Sequence, residues 1–208
     1  MILGLDISTK TIGVALFENK GGHGELKQLT HVSPKVKPTP KSKIEELCEK
    51  ANIFEREFLN KYASVNITRV IIEEPLLRSN NVNTVATLLR FNGMVSKSVY
   101  NILGITPEYI SSYDSRAFAY PELMQVRKEN KKGEPYSEKD IAKGKPVLFG
   151  GYPWEVDKKM VIWEKVADLE PQIKWLYTNT GTLKKENFDM TDAYTCVRAT
   201  MKRDGLWL

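Results

Sequence analysis

Residues 2–7 and 11–17 are apolar runs with only Ser8-Thr9-Lys10 between them, and a third run, 25–32, follows the turn Lys20-Gly21-Gly22-His23-Gly24. So short a connection allows a tight reversal and nothing else. The first two runs must therefore pair antiparallel, with the third continuing the meander. Asp6 shares strand parity with Ile2 and Gly4 and so points to their face of the sheet. From residue 42 onward the pattern changes. Ser42-Lys43-Ile44-Glu45 is a capping box, after which Ile44, Leu47, Cys48, Ala51, Phe54 and Phe58 recur at helical spacing, with Cys48 expected in the core. Residues 70–73 form a short apolar strand. Asn81 then caps a long helix, 81–103, whose inner side carries Val82, Val85, Ala86, Leu89, Met94, Val95, Val99 and Ile102. Another strand is expected at 108–111. Strands alternating with helices imply parallel crossovers, so the expected fold class is α/β: a mixed five-stranded sheet, antiparallel meander first and parallel strands after, flanked by helices.

Residues 121–156 interrupt this alternation with charged, turn-rich sequence, seven basic and six acidic residues, and are expected to form a mobile insertion or lid rather than core. Two helices, about 157–177 and 189–201, complete the chain. A length of 208 residues with 41% hydrophobic content suits one sizeable core, hence a single domain over 1–208. No run approaches the roughly 18 apolar residues of a membrane span, and the N-terminus enters a strand without a basic leader. A cytoplasmic protein without a membrane partner is the expectation. Cys48 and Cys196 are the only cysteines and His23 and His31 the only histidines, which excludes a zinc or disulfide framework.

Acids at the ends of apolar runs need a reason, because a buried charge costs several kcal/mol unless something neutralises it. Asp6 lies in Ile2-Leu3-Gly4-Leu5-Asp6-Ile7, Glu73 closes Val70-Ile71-Ile72-Glu73, and Asp189 and Asp192 open the last helix three positions apart, on one face. Hard oxygen ligands without useful Cys or His select Mg²⁺, with Mn²⁺ able to substitute. Converging carboxylates of this kind suit the two-metal hydrolysis of a phosphodiester, two ions per site, and no small-molecule cofactor is expected. Glu74 has the opposite strand parity to Glu73, so only one of the pair can face such a site. The net charge of +5 leans mildly toward polyanions, and residues 34–43 hold four lysines among three prolines without an acid. That segment reads equally as a solvated linker or as a phosphate-contacting arm.

Taken in order, Gly4-Leu5-Asp6-Ile7-Ser8-Thr9-Lys10-Thr11-Ile12-Gly13-Val14-Ala15, Ile71-Ile72-Glu73 and Asp189-Met190-Thr191-Asp192-Ala193-Tyr194 resemble the successive motifs of the RuvC family of ribonuclease-H-like nucleases. The length resembles free-standing Holliday-junction resolvases rather than the nuclease domains of CRISPR effectors, in an elaborated, phage-like or organelle-like branch. The resemblance implies a crossover junction endodeoxyribonuclease: a homodimer making paired, symmetric nicks in four-way or branched DNA. It makes Asp6, Glu73, Asp189 and Asp192 the metal-binding carboxylates and puts Lys158 or Lys159 at the scissile phosphate. Where bacterial resolvases carry an aromatic wedge, this chain has Pro75-Leu76-Leu77-Arg78, so Leu76 and Leu77 stand as apolar wedges. Lys35, Lys37, Lys41 and Arg78 are the further DNA contacts expected. The long helix, with Leu88, Phe91 and Met94 beyond one sheet-facing stripe, is the candidate dimer element.

Gly4-Leu5-Asp6-Ile7-Ser8-Thr9-Lys10 also resembles the phosphate loop of sugar kinases and actin-like ATPases, which require a second such domain and a glycine-rich adenosine site that this chain lacks. A broader branched-DNA nuclease and an RNA:DNA-hybrid nuclease remain open beside the resolvase, whereas a binding-only module is disfavoured by the presence of all four acids.

Overall fold

The computed structural model describes residues 1–37, 42–75 and 81–207. Its centre is a five-stranded sheet. β1 (Ile2–Ile7), β2 (Ile12–Asn19) and β3 (Gly24–Val32) form the expected meander, and the turn between the first two is closed by Ser8, whose Oγ accepts from the Thr11 N–H at 3.0 Å and donates to the Thr11 carbonyl at 2.8 Å. α1 (Lys43–Glu57) leads to β4 (Arg69–Glu73), which runs parallel to β1, and α2 (Val82–Leu103) leads to β5 (Glu108–Ile110), parallel to β4. The strand order is β3-β2-β1-β4-β5. Both predicted caps are present: Ser42 Oγ accepts from the Glu45 N–H at 3.1 Å, and Asn81 Oδ1 from the Thr84 N–H at 3.2 Å.

Strand alternation divides the core in two. Leu3, Leu5 and Ile7 of β1, Ile12, Val14 and Leu16 of β2, and Val70 and Ile72 of β4 face α1 and α2, meeting Leu47, Ala51, Phe54, Phe91, Val95 and Val99. Burying each such side chain contributes about 1.5–3 kcal/mol, which is ample to hold helices of this length to a sheet. Ile2, Ala15, Phe17 and Ile71 point the other way, toward α6 (Glu186–Arg203), which begins three residues earlier than the sequence suggests. Gly4 and Gly13 share that face. A Cβ on Gly4 would strike the Ala193 carbonyl, and one on Gly13 the Asp189 carbonyl, so the absence of side chains lets α6 settle on the sheet.

α3 (Ser112–Ala119) and α5 (Lys158–Leu169) pack beside α6. α5 stops well short of the expected 177, because Glu170 precedes Pro171 and a residue before proline is pushed out of helical geometry. Two further expectations are corrected by helix phase. Cys48 is exposed, since α1 meets the sheet through Leu47, Ala51, Phe54 and Phe58. In α2, Phe91, expected beyond the sheet-facing stripe, is fully buried in the core with Met94 packed against it, whereas Val82 and Leu89, expected inward, are exposed; at about 100° per residue, Leu89 lies on the far side of the helix from Phe91.

Residues 121–156 carry β6 (Met124–Val126) and β7 (Pro146–Leu148), paired antiparallel, with the short α4 (Glu138–Lys143) between them. The expectation that this segment stands apart from the core is corrected at its base. Leu123 and Phe149 are buried in the α6-side core, and the Phe149 N–H donates to the Leu123 carbonyl at 2.8 Å. Net hydrophilicity of the whole stretch hid two anchoring side chains. No helix among the described residues is long and apolar enough to cross a membrane.

Candidate metal centre

Three elements deliver carboxylates to one point. Asp6 lies near the end of β1, opposite Gly13 of β2, on the face that the glycines leave open. Leu5 pairs with Ile72 of the parallel β4, so Glu73, the next residue along, reaches the same end of the sheet. α6, lying across that face, brings in Asp192. One oxygen each from Asp6, Glu73 and Asp192 fall within 4.8 Å of one another. Asp189, one turn earlier in α6, is not among those three but acts electrostatically on Asp6 and Glu73. Glu74 is exposed, as its parity requires.

The charges do not balance. Arg116 of α3 donates through Nη2 to Asp192 Oδ1 at 3.2 Å, and Lys159 Nζ lies 3.2 Å from Asp192 Oδ2. Asp6, Glu73 and Asp189 have no ion pair among the described residues, so four carboxylates face two cations. Burial, then repulsion from Glu73, Asp192 and Asp189, pushes the Asp6 carboxyl well above the usual carboxylate range. Glu73 is raised by burial and by Asp192. Asp189 is pushed up to about 6, burial again being the main cause. Burial works against the Lys159 ammonium, but Asp192 and Asp6 outweigh it and hold its pKa above the ordinary lysine value. Acids that repel one another in a low-dielectric site are relieved either by protons or by a cation. A set made only of oxygen donors fits a hard divalent ion such as Mg²⁺ or Mn²⁺.

A cleft of about 990 Å³ opens beside this cluster, lined by Asp189 and by Lys10, Lys35, Lys159, Lys184 and Lys185. Behind the lining residues Lys184 and Lys185, the buried Asn187 side chain accepts from the Leu176 N–H at 3.0 Å and donates to the carbonyls of Leu176 and Lys184 at 2.7 and 2.9 Å. The irregular stretch before α6 is thereby tied down and presents Lys184 and Lys185. Of the residues anticipated from sequence, Lys35 is in the cleft, while Lys37 is exposed and does not line it. Lys159 reaches the carboxylates; Lys158 turns to the Phe149 ring, its Nζ 5.8 Å from the centroid. Lys41, Leu76, Leu77 and Arg78 lie outside the described residues. Arg116 was not anticipated, because nothing local in Ser112-Tyr113-Asp114-Ser115-Arg116 announces a partner 76 positions away. Lys184 and Lys185 were also passed over, although a basic pair just ahead of an acidic helix start is a legible signal.

Comparison with known proteins adds the fold. No family model and no curated protein sequence matches this chain. Among solved structures, T. thermophilus RuvC in complex with Holliday junction substrate superposes with a TM-score of 0.56 at 9% identity, covering 98% of this chain and 96% of that one. A second Thermus thermophilus RuvC structure gives a TM-score of 0.50 at 14% identity, again covering 98% and 96%. At such identities the likeness is one of fold, and it extends over nearly the full length of both chains. The α/β architecture described above, with its mixed sheet and flanking helices, is the ribonuclease-H-like fold of the RuvC Holliday junction resolvases.

Proposed function

We propose that this chain is a divalent-metal-dependent endonuclease acting on branched DNA, a Holliday junction resolvase that nicks four-way junctions in symmetric pairs. The observation that carries it is the convergence of Asp6, Glu73 and Asp192, from β1, β4 and α6, beside a lysine-lined cleft. The RuvC structures of like fold, one of them bound to a Holliday junction, support the choice of substrate.

Asp6, Glu73 and Asp192 are the residues that would hold the ion, with Asp189 at the cleft side of the same group. A Mg²⁺ ion held by these carboxylates would supply Lewis-acid polarisation of a phosphate oxygen and a lowered pKa for a bound water. The chain itself provides orientation and charge. Arg116 and Lys159 fix the two oxygens of Asp192, and Lys159, half exposed at the cleft, can also meet a non-bridging phosphate oxygen. Lys10, Lys35, Lys184 and Lys185 neutralise backbone phosphates flanking the cut. Lys37, Lys41 and Arg78 remain candidates for more distant phosphates, and Leu76 and Leu77 for wedging the branch open. The chain acts as one nuclease unit over 1–208, with 121–156 as an insertion.

A junction offers two symmetry-related strands, which a twofold dimer can cut together. On α2 the exposed side chains Val82, Leu89 and Tyr100 are spaced by seven and eleven residues, so they line one outward stripe, continued by the exposed Tyr109 of the edge strand β5 through a 2.6 Å contact between Ser96 Oγ and Tyr109 Oη. That stripe is the proposed contact with a second copy.

Incubation with Mg²⁺ and a synthetic four-way junction, beside matched duplex, single-stranded and RNA:DNA-hybrid controls, tests the reading. Paired nicks on the junction are expected, with light scattering showing a dimer. Preferential cutting of the hybrid would move the substrate to RNA:DNA, and a monomer leaving unpaired nicks would remove the resolvase assignment.

A further inference from the structure

A second cavity, of about 330 Å³, shares Arg116 with the carboxylate site and is bounded on one side by β7. α3 contributes Tyr113 and Arg116, the hairpin Val147, Leu148 and the following Phe149, and α5 Lys158. Its volume is at the lower end of the roughly 300–1,000 Å³ typical of small-ligand sites, the scale of one nucleotide rather than a duplex arm. Its lining joins apolar and aromatic side chains to two cations, Arg116 and Lys158, with no carboxylate. Tyr113 is half exposed, steadied by a 3.8 Å contact from its hydroxyl to Met124 Sδ, and Val147 is 40% exposed.

Two further features show that this is a built site. Arg116 belongs to both places: one nitrogen holds Asp192, while its buried Nε has no hydrogen-bond partner and the residue lines the cavity. Phe149 is the one non-glycine residue among those described with a positive φ, +61°. A bulky residue in that region is strained and persists only when its surroundings hold it. Here the Leu123 carbonyl accepts from the Phe149 N–H, and Arg127 Nη2 donates to the Phe149 carbonyl at 3.2 Å. The result is a ring fixed at the cavity with Lys158 above it.

We propose that this cavity receives one unpaired nucleotide of the strand being cut, its base stacked against Tyr113 and Val147 and its phosphate paired with Lys158, beside the Arg116 that lines the same cavity. The proposal rests on the nuclease reading, and it gives the 121–156 segment a role in substrate binding, since the hairpin supplies one wall. A base inside a duplex cannot enter such a cavity. An unstacked nucleotide at a branch point can, because the cost of unpairing there is already partly met. Lys158 and Lys159, adjacent in sequence, would then serve different groups, Lys159 the carboxylates and Lys158 the neighbouring nucleotide.

The test compares four-way junctions that differ by one abasic site, placed in turn at each nucleotide near the cleaved bond. For wild-type protein, loss of the base at one position should slow cleavage about tenfold, the scale of a lost base–aromatic stack. Tyr113→Ala and Val147→Asp should cut intact and abasic junctions equally slowly, while Tyr113→Phe, which keeps the ring, should restore the dependence. Cleavage indifferent to every abasic site, or variants that keep the wild-type dependence, would overturn the proposal and leave the nuclease standing. Absence of wild-type cleavage on all substrates would instead remove the nuclease reading. The cavity is then decided by anisotropy of a fluorescein-labelled single-stranded oligonucleotide, whose affinity must fall in Tyr113→Ala and Val147→Asp and recover in Tyr113→Phe; unchanged affinity overturns it.

Discussion

Arg116 and Asp192 are joined at 3.2 Å across 76 positions of sequence, and this link separates Asp192 from the other acids around it. With Lys159 on its second oxygen, Asp192 is paired on both sides, whereas Asp6 and Glu73 face each other without a cation of their own among the described residues. The same site therefore holds one acid with two cationic partners and two acids with none among the described residues.

We predict that Asp6→Asn and Asp192→Asn both abolish Mg²⁺-dependent cleavage but move stability in opposite directions. Removing the Asp6 charge relieves burial and repulsion, so its thermal midpoint should hold or rise. Removing the Asp192 charge leaves Arg116 and Lys159 without their partner, a loss of about 1.5–3 kcal/mol for charged hydrogen bonds that is offset in part by relief of Asp6 and Glu73. Urea unfolding of metal-free protein would show the difference, and equal shifts would refute the asymmetry.

Glu73→Gln should be inactive and Glu74→Gln close to wild type, because only Glu73 turns inward at the end of β4. Single-turnover cleavage rates suffice. Comparable losses in the two variants would mean that the strand end is differently disposed when DNA is bound.

If the carboxylate set binds Mg²⁺, the ion should stabilise the fold by mass action, about 2.7 kcal/mol at a concentration a hundred times its dissociation constant. Differential scanning calorimetry over an Mg²⁺ series should show a rising midpoint for wild type and a flat one for Asp6→Asn. A flat wild-type series would count against the metal centre.

Lys184→Ala combined with Lys185→Ala should weaken junction binding and flatten its salt dependence. Each phosphate that is no longer neutralised reduces the log–log slope by about 0.9 on duplex arms. Titrations at several salt concentrations measure it. An unchanged slope would place the DNA elsewhere than the cleft these lysines line.

Away from the site, Arg69 Nε and Nη1 bind Glu108 and Asp204, each at 2.8 Å, joining β4 to β5 and to the end of α6. The Arg69 guanidinium holds the Glu108 carboxyl below its ordinary value of 4.5. A depressed folded-state pKa contributes stability that is complete above the unfolded value and is lost as pH falls through the folded one. Glu108 is substantially exposed, so the effect is well under 1 kcal/mol after solvent screening. Arg69→Met should thus lower the thermal midpoint slightly near neutral pH, with the gap to wild type closing below about pH 4.5. A gap that does not narrow would show that the link acts through packing instead.

Much of this architecture was legible in local sequence. Alternation placed Leu3, Leu5 and Ile7 on one face and Ile2, Gly4 and Asp6 on the other, and Ser42 and Asn81 marked helix starts, because parity and capping depend on neighbours a few residues away. The same parity distinguished Glu73 from Glu74. What local pattern could not supply was the third dimension of the site. Whether Asp192 meets Asp6 depends on how closely α6 approaches the sheet, and that is decided by two glycines, Gly4 and Gly13, on different strands. Arg116 became part of the site only when α3 packed beside α6. Cys48 and Leu89 were assigned inward from helical spacing, yet the exact helix phase, set by Phe54 and Phe91 against the sheet, turned them to solvent. A charged insertion hid the buried anchors Leu123 and Phe149. In each case periodicity states which residues share a face, whereas the packing of distant elements decides what that face meets, since side-chain burial is a property of the assembled layers.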